Sequence, residues 1–411
     1  MKTLSAPKLL LALAFAGTGL LSAQVWSQAR PPAPPKRPPA VLKQLSVVAE
    51  QQGLAQPFKG ITAKGTIEPG LFHIHASGVS TLAVRDATDS FLATLTPEQR
   101  ARTVYSADND EWRKWMNQSF YVRQGVSFDQ MTQLQRDAAL GVLRAALSAK
   151  GLRQTRDIMK LNTTLAEMAD GNFDEYGEGQ YFMTVMGKPS TTEPWGFQFD
   201  GHHAVINYFV LGDQVVMTPF FAGSEPVTAT TGKYKGTTIL QDEQNQALSF
   251  VNALDAGQRK QAILKFDKTG DENLTEAWQD NVVLDYAGIP AKSLSKTQQA
   301  QLLALISLYI GNMDEGHAKV KMEEVKAQLD RTYFAWIGKT AADSVFYYRI
   351  HSPVLLIEFD HQRPVGLRHL FDPNAPYHEH VHTVVRTPNG NDYGKDLLRQ
   401  HYAAQHAAVL P

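Results

Sequence analysis

The chain repeats itself once, and this constrains its fold more than any other feature. "SFLATLTPEQR" at Ser90–Arg100 returns without a gap as "SFVNALDAGQR" at Ser249–Arg259. Upstream, "GVSTL" at Gly78 is matched by "GTTIL" at Gly236, and downstream "QRDAALGVLRAAL" from Gln135 by "QQAQLLALISLYI" from Gln298. "YFMTVMGKP" at Tyr181 pairs with "YFAWIGKT" at Tyr333, and "QFDGHHAVINY" at Gln198 with "RIHSPVLLIEF" at Arg349. "VVMTP" at Val215 aligns with "VVRTP" at Val384. The matches keep one order at an offset of roughly 150–170 residues, far above the period of solenoid repeats. They predict an α+β fold built from an internally duplicated unit, helices first and antiparallel strands after. Two lobes related by a pseudo-twofold are expected, with the first unit at about 70–226 and the second at about 230–402. A pocket between them is the default place for a ligand.

Local signals agree with this layout. "TPEQ" at Thr96, "DAGQ" at Asp255 and "SKTQ" at Ser295 carry capping-box logic, a short polar N-cap with Gln three residues on. "MTQLQRDAALGVLRAALSAKG" has helical apolar spacing, and Gly151 reads as its stop. "AVINYFVLGDQVVMTPFF" reads as two strands around a Gly-Asp turn, and "SPVLLIEFDHQ" with "HVHTVVRTP" as another pair.

The N-terminus reads as targeting. Residues 1–23 combine a basic start, the apolar run "LLLALAFAGTGLL" and small residues near Ala23, the pattern of a signal peptide. "QARPPAPPKRPPA" at Gln28–Ala40 is a stiff tether, so 24–45 is taken as a Pro-rich linker and 46–411 as the folded domain. The expectation is a periplasmic or secreted protein, with no membrane association once the signal is removed. The chain has no cysteine, which suits an oxidising compartment and excludes thiolate metal sites. A net charge of −1 gives no footprint for nucleic acid.

"PWGFQFDGHHAVINYFVLGDQVVMTPFFAGSEP", "FYYRIHSPVLLIEFDHQ" and "HVHTVVRTPNGNDYGKDLLRQHY" resemble the family catalogued as domain of unknown function 3500. The likeness runs from about Val47 to Tyr402. It implies an extracytoplasmic bacterial protein and carries no particular reaction. The pair His73 and His75 in "FHIHASG" departs from the family pattern.

The chemistry lies in three strings. In "HEHVHTVVRTPNGNDYG" (His378–Gly394), His380, His382, Val384 and Arg386 share one face of a strand, and two imidazoles at that spacing can reach one metal ion. "DGHH" supplies His202 and His203 beside Gly201, which permits a bend. "EFDH" places Glu358 and Asp360 on one face of an apolar strand and Phe359 and His361 on the other. A carboxylate so placed needs a cation: a metal, Arg386, Arg349 or a protonated His. "TPNGNDYG" is a turn into a helix start, where Asn389, Asn391 and Arg386 could hold an anion.

These strings define the expected site. His380, His382 and His203 are the metal ligands. His203, Asp360 and Glu358 are the catalytic groups. Arg386, Asn389, Asn391 and His202 contact substrate, and His361 is held in reserve. Histidine and carboxylate ligands without thiolates suit a divalent zinc, iron or manganese ion. No nucleotide, flavin or haem motif is present. "DKTGDENLTE" at Asp267 fails as a calcium loop, with Glu272 at its sixth position and Trp278 at its twelfth, and reads as a polar turn. The reading is a metal-assisted hydrolase for a small polar or anionic substrate. Its alternatives are a non-enzymatic periplasmic protein that binds an anion or metal, and a scaffold with structural histidines. Oligomeric state is left open.

Overall fold

A computed structural model describes residues 37–409. The signal-peptide segment and most of the linker lie outside the described residues; the linker's end is already helical, within Pro39–Gly53. The described chain is a mixed α/β fold organised on one large sheet.

The first half contributes β1 (Val104–Tyr105), β2 (Val126–Ser127), β3 (Tyr181–Met186), β4 (Trp195–Gly201), β5 (Ala204–Leu211), β6 (Gln214–Val216) and β7 (Phe220–Ser224). The second contributes β8 (Ile263–Lys265), β9 (Ile289–Pro290), β10 (Tyr333–Gly338), β11 (Phe346–His351), β12 (Leu356–His361) and β13 (Val381–Arg386). The strand order is β1-β3-β4-β5-β7-β13-β12-β11-β10-β8. β7 and β13 pair antiparallel at its centre, so strands from both halves form a single sheet.

Alternation sorts the side chains. One face of the sheet carries Phe197, Phe199, Ile206, Tyr348, Phe359, Val381 and Val385, and packs on helices through Phe91, Leu143, Ile158, Leu302 and Ile306. The other face carries Met186, Val205, Phe209, Phe221 and Val384, and packs on Trp112, Trp115, Tyr393 and Leu397. Between those apolar patches this second face is polar, and the expected site residues lie on it. The β12 prediction holds: Phe359 packs on the helix side, while Glu358 and Asp360 face the other way.

All three predicted capping boxes form, at Thr96, Asp255 and Ser295, each with its Gln three residues on. Two local expectations fail. Gly151 stops no helix. The helix Gln133–Ala146 ends at Leu147, and Gly151 is the third residue of the helix Ala149–Met168, donating its N–H to the cap Ser148. Glycine is needed there because a Cβ would lie 2.1 Å from the Asn312 carbonyl oxygen. The match of "VVMTP" to "VVRTP" also fails in position. Val215 and Val216 end β6, and Met217–Pro219 interrupt the ladder before β7, whereas Val384–Arg386 lie within β13. The periods agree but the registers do not.

Candidate metal centre

A hairpin turn and the start of β13 bring three histidines to one point. β4 and β5 are joined by His202-His203, with Gly201 paired to Ala204. His203 takes φ +64°, a conformation that glycine or asparagine normally supplies at the second position of such a turn. Its backbone is pinned on both sides: the N–H donates to the Asn117 carbonyl at 3.1 Å, and the carbonyl accepts from Gly223 at 2.8 Å. His380 and His382 arrive along β13, two residues apart and therefore on one face. Gly223 opposes His382 across the β7–β13 pair, where a Cβ would lie 2.5 Å from the Val381 carbonyl oxygen and 3.3 Å from His382 Cδ2.

The three Nε2 atoms form a small triangle. His203–His382 is 3.1 Å, His203–His380 is 3.3 Å and His380–His382 is 3.0 Å. All three residues are buried. Among the described residues this is the group of His, Asp and Glu side chains placed to hold a metal ion. The partners of the opposite ring nitrogens assign the tautomers. His380 Nδ1 lies 2.6 Å from the Arg363 carbonyl oxygen, so it carries the proton. His382 Nδ1 lies 2.7 Å from Glu276 Oε1 and does the same. In their neutral forms both rings therefore turn an Nε2 lone pair toward His203. One proton can bridge two of these nitrogens but not all three. The edge of a tetrahedron with metal–nitrogen bonds of about 2.0–2.1 Å is about 3.3 Å, close to the observed separations.

Electrostatics follow the same arrangement. Burial lowers the pKa of His203 and His380 below the usual imidazole value, which keeps them neutral and able to ligate. Burial also lowers that of His382, but the Glu276 carboxylate, together with Asp360 and Asp271, more than offsets this, and the net shift is upward. Burial pushes the Glu276 carboxyl up, yet His382, Asn273 and Asn117 together bring it down to about 2. Asn273 and Asn117 donate to its two oxygens at 2.8 and 3.1 Å. Glu225 Oε2 stands 4.0 Å from His380 Nδ1, and the Glu225 carboxylate is itself held by the N–H groups of Val365, Gly366 and Leu367.

Each other expected residue has a definite place. His202 stacks on His203 with ring centroids 3.8 Å apart, and its Nδ1 meets Asn162 Oδ1 at 2.8 Å. Glu358 is fully buried and accepts from the N–H groups of Leu274 and Thr275, the Thr275 hydroxyl and the Tyr347 hydroxyl. Asp360 meets Lys268 Nζ at 2.7 Å and the N–H groups of Glu272 and Asn273. Burial raises both carboxyls, Asp360 to about 7 against the pull of Lys268. The cation on this strand is Lys268, which pairs with Asp360, and not the metal, Arg386, Arg349 or protonated histidine expected for it; Glu358 is held by N–H and hydroxyl groups instead. Both carboxylates anchor the loop that delivers Glu276.

Arg386 is shared between Asp280 at 2.7 Å and Asp392 at 2.8 Å. Asn389 accepts from the Glu68 N–H and donates to the Pro353 carbonyl, while Asn391 Oδ1 receives the Leu397 N–H at the start of the last helix. His361 faces the helix side, between Phe346 and Gln244. The structure thus gathers His203, His380 and His382, sets His202 beside them, and engages the rest elsewhere on the fold.

Sequence reasoning missed Glu276, Asn117 and Glu225. Glu276 sits inside "DKTGDENLTE", whose acidic residues gave the only available signal. Loop residues carry no periodicity that would aim them at a site.

The fold and site define a mixed α/β protein with a buried three-histidine centre. The family model described as "Protein of unknown function (DUF3500)" matches residues 77–395, and the chain belongs to that family. No curated protein and no solved structure matches the chain.

Proposed function

We propose that this chain is an exported enzyme that holds a divalent metal ion at His203, His380 and His382 and hydrolyses a small polar or anionic substrate. One observation carries the reading: three buried imidazole Nε2 atoms converge within 3.0–3.3 Å, two of them with the tautomer that exposes a lone pair. A divalent ion on three imidazoles keeps a fourth position open and supplies Lewis acidity or an activated water. The all-imidazole donor set favours zinc or iron over manganese, which prefers oxygen ligands. The chain's own contribution is orientation. Glu276 and the Arg363 carbonyl fix two rings, while the Asn117 and Gly223 backbones hold the turn that carries the third and His202 stacks on its ring. Export rests on the signal-like residues 1–23.

We read the two halves as copies of one unit. The order β1-β3-β4-β5-β7 is mirrored by β8-β10-β11-β12-β13, with a parallel outer pair in each case. On this reading the centre combines a hairpin turn from one copy with the last strand of the other.

Elemental analysis of purified mature protein tests the metal. About one zinc or iron per chain is expected, lost in His380→Ala. A metal-free preparation that also fails to take up added zinc would overturn the reading. Hydrolysis is tested with phosphate, sulfate, carboxylate and glycosidic esters, with and without chelator. Stoichiometric metal without turnover of any ester would leave a binding protein.

A further inference from the structure

A cavity of about 770 Å³ lies beside the histidine centre, with His202 in its wall. This size falls within the range of about 300–1,000 Å³ typical of ligand pockets. Its lining includes Arg37, Asp174 and Glu175, the last held by Ser119 and Asn172, and is selective in four ways. First, His202 offers it an acceptor. Asn162 Nδ2 donates to the Gly177 carbonyl at 3.2 Å, which turns Asn162 Oδ1 toward His202. His202 Nδ1 must therefore carry the proton, and Nε2 is left as an acceptor with no partner among the described residues, on a ring only 8% exposed. A ligand hydroxyl is the matching donor.

Second, Phe182 and Phe120 present half-buried rings to the cavity, suited to the C–H face of a ring-shaped ligand. Third, Gln130 keeps its Nε2 donor and Gln180 its Oε1 acceptor for a ligand hydroxyl, their other amide atoms being held by Arg102 and Asp129. Fourth, Arg102 lines the cavity with its guanidinium on the Gln130 amide at 2.8 Å and, among the described residues, on no carboxylate. By contrast, Arg123 in the same wall is already paired with Asp200 at 3.1 Å. Arg102 thus has its charge and its fork available to a ligand carboxylate.

We infer that this cavity is the substrate pocket of the histidine centre and takes the uronic-acid moiety of a hydrolysable ester or glycoside, a saturated sugar ring bearing hydroxyls and one carboxylate. The inference rests on the metal-centre reading, because the stack of His202 on His203 is what connects pocket and centre. The hydroxyl-bearing ring packs on Phe182, a hydroxyl donates to His202 Nε2, and the carboxylate is held at Arg102.

Calorimetric titration of the mature protein with galacturonate and with galactose, which lacks the carboxylate, tests it. Galacturonate is expected to bind about ten-fold or more tightly than galactose, a margin of about 1.4 kcal/mol. Arg102→Gln should remove that margin and leave galactose binding unchanged, while Phe182→Ala should weaken both. Binding of neither sugar, equal binding of the two, or binding of 4-hydroxybenzoate in preference to galacturonate would overturn the proposal. Zinc content is measured on the same samples. Zinc without sugar binding sinks the pocket assignment alone, and sugar binding without zinc sinks the metal centre alone.

Discussion

Glu276 Oε1 lies 2.7 Å from His382 Nδ1, and the carboxylate reaches the histidine from a loop more than a hundred residues earlier in the chain. This contact fixes the ring that β13 presents and raises the basicity of its Nε2. Replacing Glu276 by Gln keeps the hydrogen bond and removes the charge. The expected result is a 10–100-fold loss of zinc affinity, the usual range for such supporting partners. Competition with a chromophoric chelator measures it, and an unchanged affinity would show the contact to be structural only.

The loop that carries Glu276 is tied down by Lys268 and Asp360, an ion pair with both side chains fully buried. Lys268→Met leaves a carboxylate in the interior without its cation, a change that costs about 3–5 kcal/mol. Chemical denaturation of Lys268→Met should show that loss, and the double variant with Asp360→Asn should recover most of it. Zinc affinity should fall with the single change and return with the double.

His203 holds a left-handed backbone conformation, which costs a non-glycine residue on the order of 1–3 kcal/mol. His203→Gly and His203→Ala both remove the ligand, but only glycine relieves the strain. The glycine variant should be more stable than the alanine variant by about 1 kcal/mol in denaturant titrations, while neither binds zinc. Equal stability of the two would mean the turn relaxes without its histidine.

Burial raises the Glu111 carboxyl from 4.5 to about 7, opposed by Lys114 at 3.5 Å. A carboxyl raised on folding binds its proton more tightly in the native state. Its contribution is therefore fully present below pH 4.5 and is lost as the pH rises through about 7. The span corresponds to on the order of 3 kcal/mol. Glu111→Gln should flatten the fall in stability across this window, read from denaturation midpoints between pH 4 and pH 8. A wild-type curve that already lacks the fall would refute the assignment.

Legibility followed periodicity. Strand faces and caps obey short repeats, so the β13 face and the capping boxes at Thr96, Asp255 and Ser295 were readable. His203 was readable as one of an adjacent pair, since a turn must split such neighbours. The expected site groups His203 with His380 and His382, as the structure does, but the positive φ that turns it toward them is encoded by no pattern. Glu358 and Asp360 were placed on the right face, but their partners Thr275 and Lys268 come from an irregular loop. The cavity beside His202 is assembled from five separate stretches of chain and leaves no linear trace.

The separation of His203 from His382 is 179 residues, and that of His203 from His380 is 177. An ion held by all three would close a loop of nearly half the chain. In thermodynamic terms it would act as a cross-link, restricting the unfolded ensemble as a long-range disulfide does. In a protein without cysteine, that constraint would be set by metal supply and not by redox state.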